Sequence, residues 1–158
     1  MKNRCFLFPL LLLTALVCLL VQTALAQTPG KNPDDILIVA NKGVSVDKVS
    51  LKELKSIFLK KRTSWKNGGK VVAIHARVGT PIRNAFTTRV LGLDNTREQA
   101  YWQDMMVKSG VKQPPALGNR LKAVFKLSGG VSYIYRVDYK PNVSKVLLVI
   151  RSSTTETP

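Results

Sequence analysis

The chain has 158 residues, 45% of them hydrophobic, with a formal charge of +16, two cysteines and a single histidine. With one histidine, and nine acids that form no ligand-like cluster, a zinc site or a Ser-His-Asp arrangement would rest on His75 alone. No enzymatic activity, metal or cofactor is therefore expected.

Residues 1–26 carry a basic start (Lys2, Arg4), an apolar stretch from Phe6 to Val21, and Ala24-Leu25-Ala26 before Gln27. Charge, apolar core and small-residue site together predict a secretory signal peptide cleaved after Ala26, hence a periplasmic or secreted protein. The competing membrane anchor is short for the ~20 apolar residues that span a bilayer, and Pro9 interrupts it. A lipoprotein anchored at Cys18 is disfavoured by the bulky Val17 before it. Cys5 and Cys18 leave with the signal, so the mature domain forms no disulfide and depends on packing, which a chain of this length can supply. Its strong positive charge attracts anions, anionic lipid and nucleic acid alike and selects none of them.

Gln27 to Asp35 is polar, with two prolines and a glycine, and reads as a flexible spacer over 27–35. Ile36-Leu-Ile-Val-Ala40 is a continuous β-branched run, as expected of a parallel central strand buried on both faces. Ser50 and Glu53 form a capping box ahead of Leu51, Leu54, Ile57 and Phe58, which share one helical face. That helix should run to about Lys60. The triplet Lys60-Lys61-Arg62 then fits a helix C-terminus better than a nucleic-acid patch. Asn67-Gly68-Gly69 marks a turn before a second buried strand over 70–76.

Thr80-Pro81 opens the next helix, with threonine as N-cap and proline in the first helical position, and Gly92 stops it. Asp94 or Asn95 caps a third helix that carries Tyr101, Trp102, Met105 and Met106 to Ser109-Gly110. Asn119 to Leu127 is a short helix, Gly129-Gly130 its stop, and Val131–Tyr135 and Val146–Ile150 are strands. A disordered tail is expected over 151–158. The alternation predicts one α/β domain over 36–150, a three-layer sandwich with a mainly parallel sheet.

The segment with most chemical content is Ala76-Arg77-Val78-Gly79-Thr80-Pro81-Ile82-Arg83, a glycine-containing loop from strand to helix. Free N–H groups at a helix start favour negative charge, so an oxyanion fits here. Its donors would be the amides of Ile82, Arg83 and Thr80, the Thr80 hydroxyl, and the Arg77 and Arg83 guanidinium groups. The same residues also fit an ordinary capped helix with two solvated arginines. The Gly79-Thr80 pair lacks the lysine of a nucleotide-gripping loop. His75 reads as a strand-end residue with a satisfied ring. Tyr133 and Tyr135 read as alternating residues on one sheet face rather than a base-stacking platform, which leaves nucleic acid a disfavoured partner.

In order, Ile36 to Asn41, Leu51 to Phe58 with Trp65 and Asn67-Gly68, Gly79 to Phe86 with Val90-Leu91-Gly92, Tyr101-Trp102, Ser109-Gly110 with Pro114-Pro115, and Gly129 to Ile134 resemble one family. These stretches are similar to short proteins related to phosphate ABC transporter substrate-binding proteins, of the type-2 periplasmic-binding-protein superfamily. The resemblance implies an extracytoplasmic α/β lobe that binds phosphate or another oxyanion, with an ABC transporter as partner. It places the anion at Gly79 and Thr80, where Val78 stands for the family's serine, with Arg83 as the matching arginine. The alternative is an accessory module without a small ligand, whose basic surface docks an acidic envelope partner.

Overall fold

The computed structural model describes residues 32–152. The expected signal peptide, most of the spacer and the last six residues of the tail lie outside the described residues. Two short elements explain why the fold begins where it does. Ile36–Ala40 (β1) is buried along its whole length, and Leu51–Phe58 (α1) lays Leu54, Ile57 and Phe58 against it. The capping box of α1 is formed as expected: Ser50 Oγ accepts the Glu53 N–H at 3.3 Å, and the Glu53 carboxylate accepts the Ser50 N–H at 3.0 Å. These bonds and the nearby Lys66 hold the Glu53 carboxyl down to about 2. Arg62, the last residue of the basic triplet, reaches back to the same carboxylate at 3.2 Å.

The remaining elements are Val72–Ala73 (β2), Pro81–Phe86 (α2), Asn95–Ser109 (α3), Arg120–Lys126 (α4), Gly130–Tyr135 (β3) and Lys145–Ile150 (β4). Helix α2 runs without a break into a π-helical turn, Thr87–Leu91. Asp94 Oδ1 caps α3 by accepting the Arg97 N–H at 2.7 Å, and Asn119 caps α4 through the Lys122 N–H at 3.2 Å.

The strands form one sheet in the order β2-β3-β1-β4. It is mixed rather than mainly parallel: β1 is antiparallel to both β3 and β4, and only β2 and β3 run parallel. The all-apolar run of β1 is explained by layers, not by strand direction. Ile36, Ile38 and Ala40 face a core shared with α1, α2 and Trp102 of α3, while Leu37 and Val39 face a smaller cluster with Ile134 and Leu121 of α4. An interior strand covered on both faces is apolar throughout, whichever way its neighbours run. The α/β architecture with helices on both faces is thus as expected, and the strand directions are not.

Strand β2 is shorter than the expected 70–76 because its pairing partner changes. Ile74 N–H still donates to Val131 O of β3 at 2.9 Å, but the His75 amide turns to Pro115 O at 2.8 Å and His75 O accepts the Leu117 N–H at 2.9 Å. At the other end of the sheet Asn41 joins three elements: its N–H donates to Gly130 O at 2.9 Å, and its side chain donates to Val124 O and Phe125 O in the last turn of α4. Contacts extend one residue before β1 and two after β4. Asp35 is buried and accepts from Arg136 at 3.0 Å and from the Ser152 N–H at 3.0 Å. Burial alone would raise the Asp35 carboxyl, but these donors outweigh it and hold the group below its ordinary value.

Candidate anion site at the turn before α2

The turn leaves the core at Ala76, fully buried, and rises to Val78, which is 76% exposed. Gly79 takes φ 80, a left-handed conformation that lets the chain reverse into α2. Thr80 is extended (φ −77, ψ 145) as an N-cap residue should be, yet its side chain makes no cap bond. Its hydroxyl donates instead to Arg77 O at 2.7 Å, and its N–H points to the same oxygen at 3.3 Å. Both Thr80 donors are therefore spent within the turn. The amides of Ile82 and Arg83, in the first helical turn after Pro81, have no intrahelical acceptor and stay at the helix start.

The two arginines go to different places. Arg77 is exposed, with its guanidinium beside Gly118. Arg83 is 1% exposed: one terminal nitrogen pairs with Glu98 Oε1 at 2.5 Å, the other approaches Ala76 O at 3.4 Å, and Nε lies 3.4 Å from Glu98 Oε2. Thr87 Oγ1 completes the pair by donating to Glu98 Oε2 at 3.0 Å. A paired charge with filled hydrogen bonds is the form in which an arginine tolerates such burial. The structure therefore gathers Gly79, Thr80, Ile82 and the Arg83 backbone at one turn and leaves Arg77 at its edge. The Arg83 guanidinium lies beneath the turn, locking α2 to α3.

Glu98 is absent from the sequence-based site, though a signal for it existed. It lies four residues before Trp102, on the face of α3 that meets the core, and an acid on such a face requires a buried cation. Arg83 is that cation, fifteen positions earlier.

His75 is fully buried under the same turn. Its Nδ1 lies 3.1 Å from the Tyr133 hydroxyl, which also accepts the Ala76 N–H at 3.1 Å. Phe58 packs edge-on against the imidazole at 4.9 Å, and Phe86 stacks on Tyr133 at 3.7 Å. Burial, with the nearby Arg83 and Lys60 charges, holds the imidazole well below its ordinary pKa, so it is neutral. The Tyr133 hydroxyl is raised, chiefly by burial. These contacts make His75 a core residue that supports the Ala76 end of the turn, but only Nδ1 finds a partner: Nε2 is buried without one, so the ring is not satisfied as the sequence suggested.

No family model matches this sequence, and no curated protein does. Solved structures do match in fold. An ABC-type phosphate transport receptor from Vibrio cholerae aligns at TM-score 0.56 and 15% identity, over 72% of this chain and 45% of the receptor. A putative phosphate ABC transporter substrate-binding protein with bound phosphate, from Clostridium perfringens, aligns at TM-score 0.56 and 20% identity, over 72% and 44%. PstS from Borrelia burgdorferi aligns at TM-score 0.56 and 12% identity, over 72% and 46%. The matched region spans less than half the length of each receptor. At this level of identity the likeness is one of architecture: the chain shares its α/β fold with part of these phosphate-transport receptors.

Proposed function

We propose that this protein is an extracytoplasmic, non-enzymatic binding protein that takes phosphate or a related oxyanion at the turn before α2. The observation that carries this reading is the exposed turn itself. Gly79 reverses the chain in open space, and the Ile82 and Arg83 amides stand at a helix start without intrahelical partners. The phosphate receptors that share the fold support the choice of ligand, one of them with phosphate bound. Within the turn, Arg77 is the exposed cation that would reach the anion, and Thr80 holds the loop shape through Arg77 O. The Arg83 side chain acts from below, fixing its own amide in place through Glu98. An ABC transporter is the corresponding partner.

Calorimetry of the mature chain with phosphate, sulfate and pyrophosphate tests this reading. Saturable heat at millimolar phosphate that weakens about tenfold in Arg77→Ala, roughly the worth of one charge-assisted contact, is expected. Absence of heat, or indifference to Arg77→Ala, would refute it. A second reading is favoured by one observation, the withdrawal of the Arg83 guanidinium into its pair with Glu98. In that reading the chain is an accessory module whose basic surface docks an acidic envelope partner. Its mark is a pull-down that weakens with salt and ignores Arg77→Ala.

A further inference from the structure

Beside the turn, an open groove of about 770 Å³ runs along α3, within the range of small-molecule sites. One wall is the α3 face, and the other is formed by Val78 and residues 111–113. The buried Arg83–Glu98 pair lies in its lining and cancels its own charge. Toward the C-terminal half of α3 and just beyond it the lining is mainly apolar, with Trp102, Met106, Val107 and Val111 beside Gln103 and Gln113. Toward the N-terminal half it is polar and, apart from the Arg83–Glu98 pair, uncharged, with Asn95, Thr96 and Gln99.

Two features of the groove bear on what it can hold. Val107 and Met106 are 87% and 45% exposed although they flank the buried Trp102, so apolar surface is left facing water where ion pairs cover the outer face of the same helix. The groove also holds only one charge without an internal counter-charge, Lys112, next to Val111 at the apolar end. Among the described residues no carboxylate lies within salt-bridge distance of Lys112.

From this arrangement we infer that the groove binds a small organic acid with an apolar body, its carboxylate on Lys112 and its body against Trp102, Met106, Val107 and Val111. A doubly charged anion would leave one charge facing neutral amides, and an uncharged hydrocarbon would leave Lys112 unused. The groove adjoins the phosphate turn at Val78 and Arg83, but the contacts of the acid do not call on Arg77, Thr80 or the α2 amides. A body spread over these side chains removes the exposed surface of Met106 and Val107 from water, with the already buried Trp102 beneath it, and the rim lysine adds orientation and a modest gain.

Nuclear magnetic resonance of the mature chain reads this directly, because Trp102 is one of only two tryptophans in the sequence and its indole N–H gives an assignable signal. Titration with 3-phenylpropanoate is expected to shift that signal saturably, with 3-phenylpropanol binding about fivefold more weakly and Lys112→Ala reproducing the loss. Val107→Glu, at a position too exposed to disturb the fold, is expected to abolish the shift. Inorganic phosphate is expected to leave the Trp102 signal in place whether or not it binds at the turn, so the two sites succeed or fail separately. The inference is overturned by a Trp102 signal unmoved at ten-millimolar 3-phenylpropanoate. It is also overturned by full affinity in Val107→Glu, or by a shift that follows protein concentration without added acid, which would mean a second copy fills the groove.

Discussion

At Gly129 (φ 75) a side-chain carbon would overlap the Lys70 carbonyl oxygen, and at the following Gly130 it would come within 2.8 Å of Leu127 O. At Gly79 (φ 80) the same carbon would meet no atom within 4 Å. The backbone conformation is similar in the two turns, and the surroundings are opposite. The Gly129-Gly130 turn is a glycine pair imposed by packing, where α4 closes down on the start of β3. The Gly79 turn is imposed only by chain reversal and keeps open space above it, while below it the Arg83–Glu98 pair and the His75–Tyr133 contact are tightly filled. A binding turn needs this asymmetry: a rigid floor that fixes the amides and an empty side for the ligand.

Breaking the floor should have the largest effect. Glu98→Ala leaves the Arg83 guanidinium buried without its counter-charge and is expected to cost about 3–5 kcal/mol in urea unfolding. The double replacement Arg83→Met with Glu98→Leu should recover most of that loss, since it removes both charges and keeps the volume; failure to recover would mean that the pair does more than fill the floor. Next comes Gly129→Ala, which combines left-handed strain with a backbone overlap and should cost about 3 kcal/mol.

Acidification probes the floor through His75. The unfolded chain takes up a proton below the ordinary value of 6.5, while the folded chain keeps the ring neutral. Stability should therefore fall as pH drops from 6.5 toward 5, by up to about 2 kcal/mol, before the carboxylates with depressed values, Asp35 and Glu53, begin to protonate. A His75→Gln variant should lack this slope. The smallest effect belongs to the open side, where Gly79→Ala should cost about 1 kcal/mol through backbone strain alone. A loss at Gly79 equal to that at Gly129 would erase the contrast between the two turns.

Much of this was legible from residue types. Ser50 and Glu53 announce their capping box because the spacing leaves few other uses for that pair, and the run Ile36 to Ala40 announces a strand with both faces covered. The direction of that strand's neighbours was not legible, because burial depends on layers and antiparallel partners bury an interior strand just as well. The second strand was overextended because the switch of His75 from β3 to Pro115 and Leu117 is a long-range pairing with no local trace. At the candidate site the amides and the turn could be placed from Gly79, Thr80 and Pro81. The destination of the Arg83 side chain could not, since a solvated arginine and one paired to an acid fifteen residues away share the same local sequence.

In the proposed function an oxyanion sits on the amides of the turn. Titrating phosphate into the isotope-labelled chain and following the amide signals of Gly79, Thr80, Ile82 and Arg83 is the test. The Ile82 and Arg83 signals should move most and saturate together, while Gly129 and Gly130 stay fixed. No movement at these four residues at millimolar phosphate, or movement confined to exposed lysines elsewhere, would contradict it.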